Sequence, residues 1–201
     1  MIKNLYSLQI TLLIVVIAGL YRAIIAPGND ILSANFTPLC AIALFSGAQI
    51  SSAKLKYLTP ILVLLLSDYF LYIKTPTQGT TALFYPGWMW VYGSILISVY
   101  LGAKIIHRAS LTPILLGAIS ASLCHWLISD AGYFFSGGIN ILTGQPYPSS
   151  LVGLIQCIIM GFPFFKKTLL ATVLFSLLFF YAYKALNQII IFIKIKSEYP
   201  S

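Results

Sequence analysis

Long apolar runs with short polar connections between them are the feature that most limits what this chain can fold into. Hydrophobic residues make up 59% of its 201 residues and charged residues only 8%, whereas a soluble domain carries roughly a quarter charged residues. A soluble fold could not cover this much apolar surface, so lipid must be the solvent. Because a spanning helix needs about 20 mostly apolar residues, the sequence predicts an all-α integral membrane protein with about six spans in a single domain, residues 1–201.

The apolar runs place the six predicted spans at approximately 5–26, 37–51, 59–73, 88–106, 112–135 and 168–193. Residues 151–165 are too short to cross comfortably and end near Pro163, which predicts a short interfacial or re-entrant helix, with a seventh span as the alternative. Lys and Arg in the connections place the N-terminus inside under the positive-inside rule. Six spans then leave both termini in the cytoplasm, whereas a seventh would move Lys194 and Lys196 outside.

Charge placement and absent motifs exclude several classes of protein. The net charge is +8, but the basic residues lie between apolar runs rather than on one basic face, so nucleic-acid binding is not expected. The three cysteines lie inside apolar segments without a CxxC pair, which argues against a disulfide framework and a metal cluster. Since no HExxH, GxSxG, Walker or GxGxxG motif occurs, we expect neither catalytic residues nor a cofactor.

Three charged side chains inside the predicted spans are the first candidates for a functional site. A charge within the bilayer costs about 2.5 to 3.5 kcal/mol even on the insertion scale, so each one needs a reason. With the N-terminus inside, Arg22, Asp68 and Asp130 all fall in the outer third of the membrane, on three different helices. Two interpretations follow: an intramembrane ion pair that only holds helices together, or a polar pocket that binds a small solute.

Aromatic and polar side chains near the same depth favour a pocket. The further candidates for binding a solute are Asn35, Thr37, Tyr85, Trp88, His125 and Tyr147. Rings and amides suit a flat ligand, although an interfacial aromatic belt would also explain Trp88. His125 is either a packed core residue or a ligand contact. It lies five residues before Asp130, and five residues turn a helix through about 140°, so the two should not share a face as an acyltransferase pair would.

Small residues recur every four positions in the second predicted span. Ala43, Gly47 and Ser51 form this stripe, on which another helix backbone can approach closely. A second stripe lies in the fourth span, at Ser94, Ser98 and Gly102. The first stripe is therefore a candidate face for docking a partner protein.

Four strings of residues carry a resemblance to a known group of proteins. They are Asn35-Phe36-Thr37-Pro38, Leu65-Leu66-Ser67-Asp68, Tyr147-Pro148, and the run from Pro163 to Leu170. Over about residues 20 to 183, the chain resembles an uncharacterised family of small bacterial membrane proteins described as transport proteins. That family is similar to the substrate-binding S components of energy-coupling factor (ECF) vitamin transporters, with the cobalamin-type S component nearest.

The resemblance implies a six-helix, S-component-like bundle in the bacterial cytoplasmic (inner) membrane. Its outer-face pocket would capture a small vitamin-like molecule with Asn35, Thr37, Asp68, Tyr85 and Asp130. The stripe at Ala43, Gly47 and Ser51 would dock a transmembrane coupling subunit, and cytoplasmic ATPases would supply the energy. The alternative function is that of a structural or scaffolding protein of a cell-envelope assembly, which binds partners but no solute.

Overall fold

Six α-helices make up the computed structural model, which describes residues 2–24, 36–74, 84 and 87–198. They are α1 (Ile2–Ile24), α2 (Leu39–Gln49), α3 (Ala53–Lys74), α4 (Trp88–Ile105), α5 (Leu111–Phe135) and α6 (Leu151–Glu198). Within the described ranges there is no β-strand, only one isolated bridge between Ile139 and Pro146 in the α5–α6 connection. The all-helical class predicted from the apolar runs is therefore confirmed.

The short helix α2 lies at the centre of the bundle and packs against each of the other five helices. It has 11 residues, of which the nine from Leu39 to Gly47 are buried, so its length of about 16 Å covers only half a bilayer. At its centre, the Phe45 ring packs edge-on against Phe180, with 5.1 Å between ring centroids. Other helices, rather than lipid, therefore surround most of α2.

Two glycines allow α2 and α4 to pack backbone against backbone. A Cβ on Gly47 would overlap the carbonyl of Val99, and a Cβ on Gly102 would overlap the carbonyl of Leu44. Close approach of this kind is what small residues permit between membrane helices. The two predicted small-residue stripes therefore meet each other inside this chain.

The last helix corrects the prediction of a separate short helix at 151–165 followed by a span at 168–193. Residues Leu151–Glu198 form one helix of 48 residues with Pro163 inside it. Proline removes one backbone hydrogen bond, but helices in apolar surroundings tolerate it when neighbouring helices support the backbone. Here α5 packs along the N-terminal half of α6, where Trp126 contacts both Phe162 and Phe165.

Three of the described helices are long and apolar enough to cross a membrane, by length and composition. They are Trp88–Ile105, Leu111–Phe135 and the stretch Leu151–Ile193 within α6, while Tyr6–Arg22 and Leu39–Gln49 are shorter apolar helices. The sequence predicts six spans, and this criterion supports three. The apolar stretch of α6 has 43 residues, about 64 Å of helix, which is roughly twice the thickness of the hydrocarbon core.

The length of the connections between helices distinguishes the two ends of the bundle. The α2–α3 and α4–α5 connections, residues 50–52 and 106–110, join helices at one end. The longer α1–α2, α3–α4 and α5–α6 connections join helices at the other end, called here the long-loop end. There α1, α3 and α5 finish and α2, α4 and α6 begin. Arg22, Asp68 and Asp130 each lie within about two turns of the ends of their helices, so all three lie towards the long-loop end.

Candidate functional site

A cavity of about 490 Å³ lies at the long-loop end of the bundle. It is lined by the end of α1, the beginnings of α2 and α4, the second half of α5 and residues 161–168 of α6. Its volume falls within the range of about 300–1,000 Å³ that is typical of small-molecule sites. The lining residues are Arg22, Thr37, Leu39, Cys40, Gly87, Val91, His125, Trp126, Ser129, Asp130, Tyr133, Gly161, Phe164, Phe165 and Thr168.

Asp130 is the carboxylate of this cavity. Its Oδ2 is buried and accepts no hydrogen bond, and Asp130 forms no ion pair with any described residue. The carboxylate faces the Cα of Gly161 on α6, where any Cβ would overlap it. The Cys157 thiol donates a hydrogen bond to the backbone carbonyl of Asp130 across 3.4 Å. The backbone of Asp130 is therefore fixed against α6, while its charge has no counter-ion among the described residues.

Aromatic rings form one wall of the cavity beside this carboxylate. Trp126 lies one helical turn before Asp130 and stacks on Phe165, with ring centroids 4.8 Å apart and planes inclined by 26°. The indole Nε1 of Trp126 and Oδ2 of Asp130 are both buried, and neither has a hydrogen-bond partner in the described part of the chain. A donor and an acceptor on adjacent turns thus remain unsatisfied next to a flat apolar surface.

His125 also lines the cavity, although it lies five residues before Asp130. Its Nδ1 is 2.7 Å from the Ser94 hydroxyl of α4, and that hydroxyl donates to the carbonyl of Val91. Since the serine proton is used in this way, His125 donates from Nδ1, and Nε2 remains an acceptor in the neutral ring. Both His125 and Asp130 line the cavity because it extends around α5. The contact with Ser94 fixes the orientation of the His125 imidazole.

Arg22 and Asp68 form the ion pair of the long-loop end, between α1 and α3. Arg22 Nη2 is 2.7 Å from Asp68 Oδ1, and the side chains are only 12% and 8% exposed. Arg22 Nη1 donates to the Ser67 hydroxyl, and the Tyr92 hydroxyl donates to Asp68 Oδ2 across 3.2 Å. Arg22 lines the cavity, whereas Asp68 does not. Of the three charges that the sequence places together, Asp130 is therefore separate from the pair.

Of the other residues predicted to bind a solute, one lines the cavity, two do not, and two lie outside the described residues. Thr37 lines the cavity, whereas Asn35 and Tyr85 lie outside the described residues. Trp88 packs edge-on against Tyr92, with ring centroids 5.3 Å apart, on the side of the Arg22–Asp68 pair. Tyr147 is buried in the α5–α6 connection, where burial and the nearby Cys157 raise the pKa of its phenol. Neither Trp88 nor Tyr147 is a lining residue.

The predicted partner-docking stripe on α2 is mostly enclosed. Ala43 and Gly47 are buried, with Gly47 against the backbone of α4, and only Ser51 is exposed. The close backbone approach that the stripe predicts is therefore made within the chain. In this conformation the buried part offers no surface to a partner protein.

Several lining residues could not be recognised in the sequence. They are Trp126, Ser129, Tyr133, Gly161, Phe164, Phe165 and Thr168. Two signals were available: the spacing of Trp126 and Ser129 from Asp130, four residues and one residue along the same helix, and the run from Pro163 to Leu170 that carries the resemblance and contains Phe164, Phe165 and Thr168. No group of three or more His, Cys, Asp or Glu residues in the described part of the chain could hold a metal ion.

Comparison with known proteins assigns the chain to a family but not to a function. No curated protein and no solved structure matches it significantly. A family profile described as "Family of unknown function (DUF6580)" matches residues 3–193, which covers α1 to α5 and nearly all of α6. The chain therefore belongs to the DUF6580 family, whose function is unknown.

Proposed function

We propose that this chain is the solute-binding subunit of a membrane transport system and captures a small, vitamin-like molecule at the long-loop end. The observation that supports this most strongly is the cavity of about 490 Å³ that contains a carboxylate without a counter-ion among the described residues. A charge in apolar surroundings is costly, and no hydrogen bond or ion pair to a described residue offsets the cost at Asp130. A bound solute would supply the missing partner.

The orientation in this proposal places the long-loop end outside a bacterial cytoplasmic membrane and both termini in the cytoplasm. The opposite end carries Lys54 and Lys56 at the start of α3, and Lys104 and Arg108 around the α4–α5 connection. This distribution agrees with the positive-inside rule. The pair Lys166 and Lys167 would count against this orientation if it lay in an outer connection, but it lies within α6.

Energy for uptake would come from partner proteins, since the sequence contains no ATP-binding motif. In this proposal a transmembrane coupling subunit and cytoplasmic ATPases drive transport, as in the ECF transporters that the sequence resembles. Because Ala43 and Gly47 are buried, the coupling subunit would have to contact another surface, or α2 would have to move relative to α4.

Mass spectrometry of small molecules released from the purified protein tests this proposal. The protein is extracted in detergent as wild type, Asp130→Asn and Asp68→Asn, and folding of each is checked by gel filtration and thermal unfolding. We expect a defined metabolite from the wild type, its loss in Asp130→Asn, and its retention in the folded fraction of Asp68→Asn. Release of lipid alone from all three would favour the scaffolding function instead.

A further inference from the structure

The charge balance of the cavity indicates what kind of solute it accepts. Arg22 and Asp130 are the lining residues that carry a formal charge at neutral pH. Arg22 is already neutralised by Asp68 at 2.7 Å, whereas Asp130 has no ion pair with a described residue. On α6, the Lys166 ammonium lies 4.9 Å from the centroid of the Phe162 ring, and Lys167 also has an interaction of its own. Among the described residues, the uncompensated charge of the cavity is therefore negative.

The wall next to that charge suits a flat cation. Trp126 precedes Asp130 by one turn and stacks on Phe165, and Phe164 is a further lining ring. Aromatic faces attract organic cations through the ring quadrupole, and Trp does so most strongly. A carboxylate beside such rings can bind a cationic group at one edge of a ligand while the rings cover its flat body.

Solutes of other charge would fit this arrangement less well. A neutral solute would bury Asp130 without a counter-charge, and an anionic solute would add repulsion to that cost. An amidinium or ammonium group instead supplies N–H donors to a carboxylate, and such charge-assisted hydrogen bonds are about twice as strong as neutral ones.

We propose that the cavity selects an organic cation with a flat ring, bound by Asp130 and by the Trp126–Phe165 wall. This inference rests on the proposed solute-binding function and specifies its ligand class. The volume of about 490 Å³ exceeds what a single six-membered ring requires, so a one-ring cation is a fragment of the natural ligand and binds weakly.

Three fragments of nearly equal size and shape test the charge preference: benzamidinium, benzamide and benzoate. Each is titrated into the full-length protein in detergent, and saturation-transfer NMR measures its binding. Asp130→Asn in the same detergent is the matched control, because it keeps the side-chain size and corrects for partition into micelles. We expect benzamidinium to saturate at millimolar concentration, benzamide to bind at least tenfold more weakly, and benzoate not to bind. Asp130→Asn should abolish the preference.

A second pair of variants makes the test independent of the folding of Asp130→Asn. Trp126→Phe keeps a ring in the wall and should retain the preference for benzamidinium, whereas Trp126→Leu should weaken it at least fivefold. Saturable binding of benzamide or benzoate equal to that of benzamidinium would overturn the ligand class but leave the proposed function standing. Absence of saturable binding by all three would also overturn this inference, while the metabolite analysis decides the proposed function separately.

Discussion

Removing either partner of the Arg22–Asp68 pair should destabilise the bundle strongly, because the other charge then stays buried alone. The side chains are 12% and 8% exposed, and Nη2 and Oδ1 are 2.7 Å apart. At an effective dielectric constant of about 20, two unit charges at this distance attract each other by roughly 6 kcal/mol before desolvation is counted. Asp68→Asn and Arg22→Met should each lower the free energy of unfolding by about 3–5 kcal/mol.

The double variant separates the pair from its surroundings. If the two side chains stabilise the protein mainly through each other, Arg22→Met combined with Asp68→Asn should cost clearly less than the sum of the single losses. We expect a coupling energy of about 2–3 kcal/mol, at the upper end for contacting residues. The remaining loss should reflect two further hydrogen bonds: the one that Ser67 accepts from Arg22 and the one that Tyr92 donates to Asp68.

Reversible unfolding of the four proteins in mixed detergent micelles, followed by circular dichroism, provides the measurement. Losses that add to within about 0.5 kcal/mol would show that the two side chains do not interact energetically, and our account of the α1–α3 contact would be wrong. Metabolite retention is measured on the same samples. Loss of the metabolite from a folded Asp68→Asn protein would show that the Arg22–Asp68 pair is also needed for solute binding.

Three further substitutions and one control test the packing of the bundle and of the cavity. Gly102→Ala should destabilise the protein by about 1–3 kcal/mol because the new Cβ overlaps the backbone of α2. The control Gly93→Ala should be neutral or stabilising, because no atom lies within 4 Å of its Cβ. Equal unfolding midpoints for the two variants would contradict the proposed α2–α4 packing. Gly161→Ala should displace the Asp130 carboxylate and lower the affinity for the solute at least tenfold, measured by titration with the released metabolite. Unchanged affinity would show that the Asp130 carboxylate does not bind the metabolite. Pro163→Ala should leave stability unchanged or raise it, because α6 is continuous there, and a clear drop in thermal stability would argue for a break in the helix.

The charges of the site could be predicted from the sequence because the bilayer makes them rare. Arg22, Asp68 and Asp130 stand out in apolar runs, and Arg22 and Asp130 line the cavity whereas Asp68 does not. Trp126 and Phe165 could not be predicted in the same way, since an aromatic side chain in a span can face lipid, the core or a cavity with no change in the local pattern. Their role depends on how α5 packs against α6.

The sequence predicted close packing but not which backbones make it. Gly47 and Gly102 indicate two helix faces on which another backbone can approach closely. The pattern does not show whether that backbone belongs to a partner protein or to another helix of this chain. Only the path of the chain brings α2 and α4 together. For α6, Pro163 suggested a break, but its effect on the backbone depends on support from α5, and the sequence pattern alone does not show that support.

The two aspartates of the long-loop end should respond to the same substitution with opposite sign. Asp68 has an ion pair and a hydrogen bond from Tyr92, whereas Asp130 has no counter-ion among the described residues and its Oδ2 accepts no hydrogen bond. Replacing the uncompensated charge with a neutral amide should therefore stabilise the solute-free protein, so we expect Asp130→Asn to raise its free energy of unfolding by about 1–2 kcal/mol. Asp68→Asn should lower it. A destabilisation by Asp130→Asn as large as that by Asp68→Asn would mean that Asp130 has a structural partner, and its charge would no longer require a solute. A gain in stability accompanied by loss of the solute is the result expected when a protein keeps a costly charge for binding.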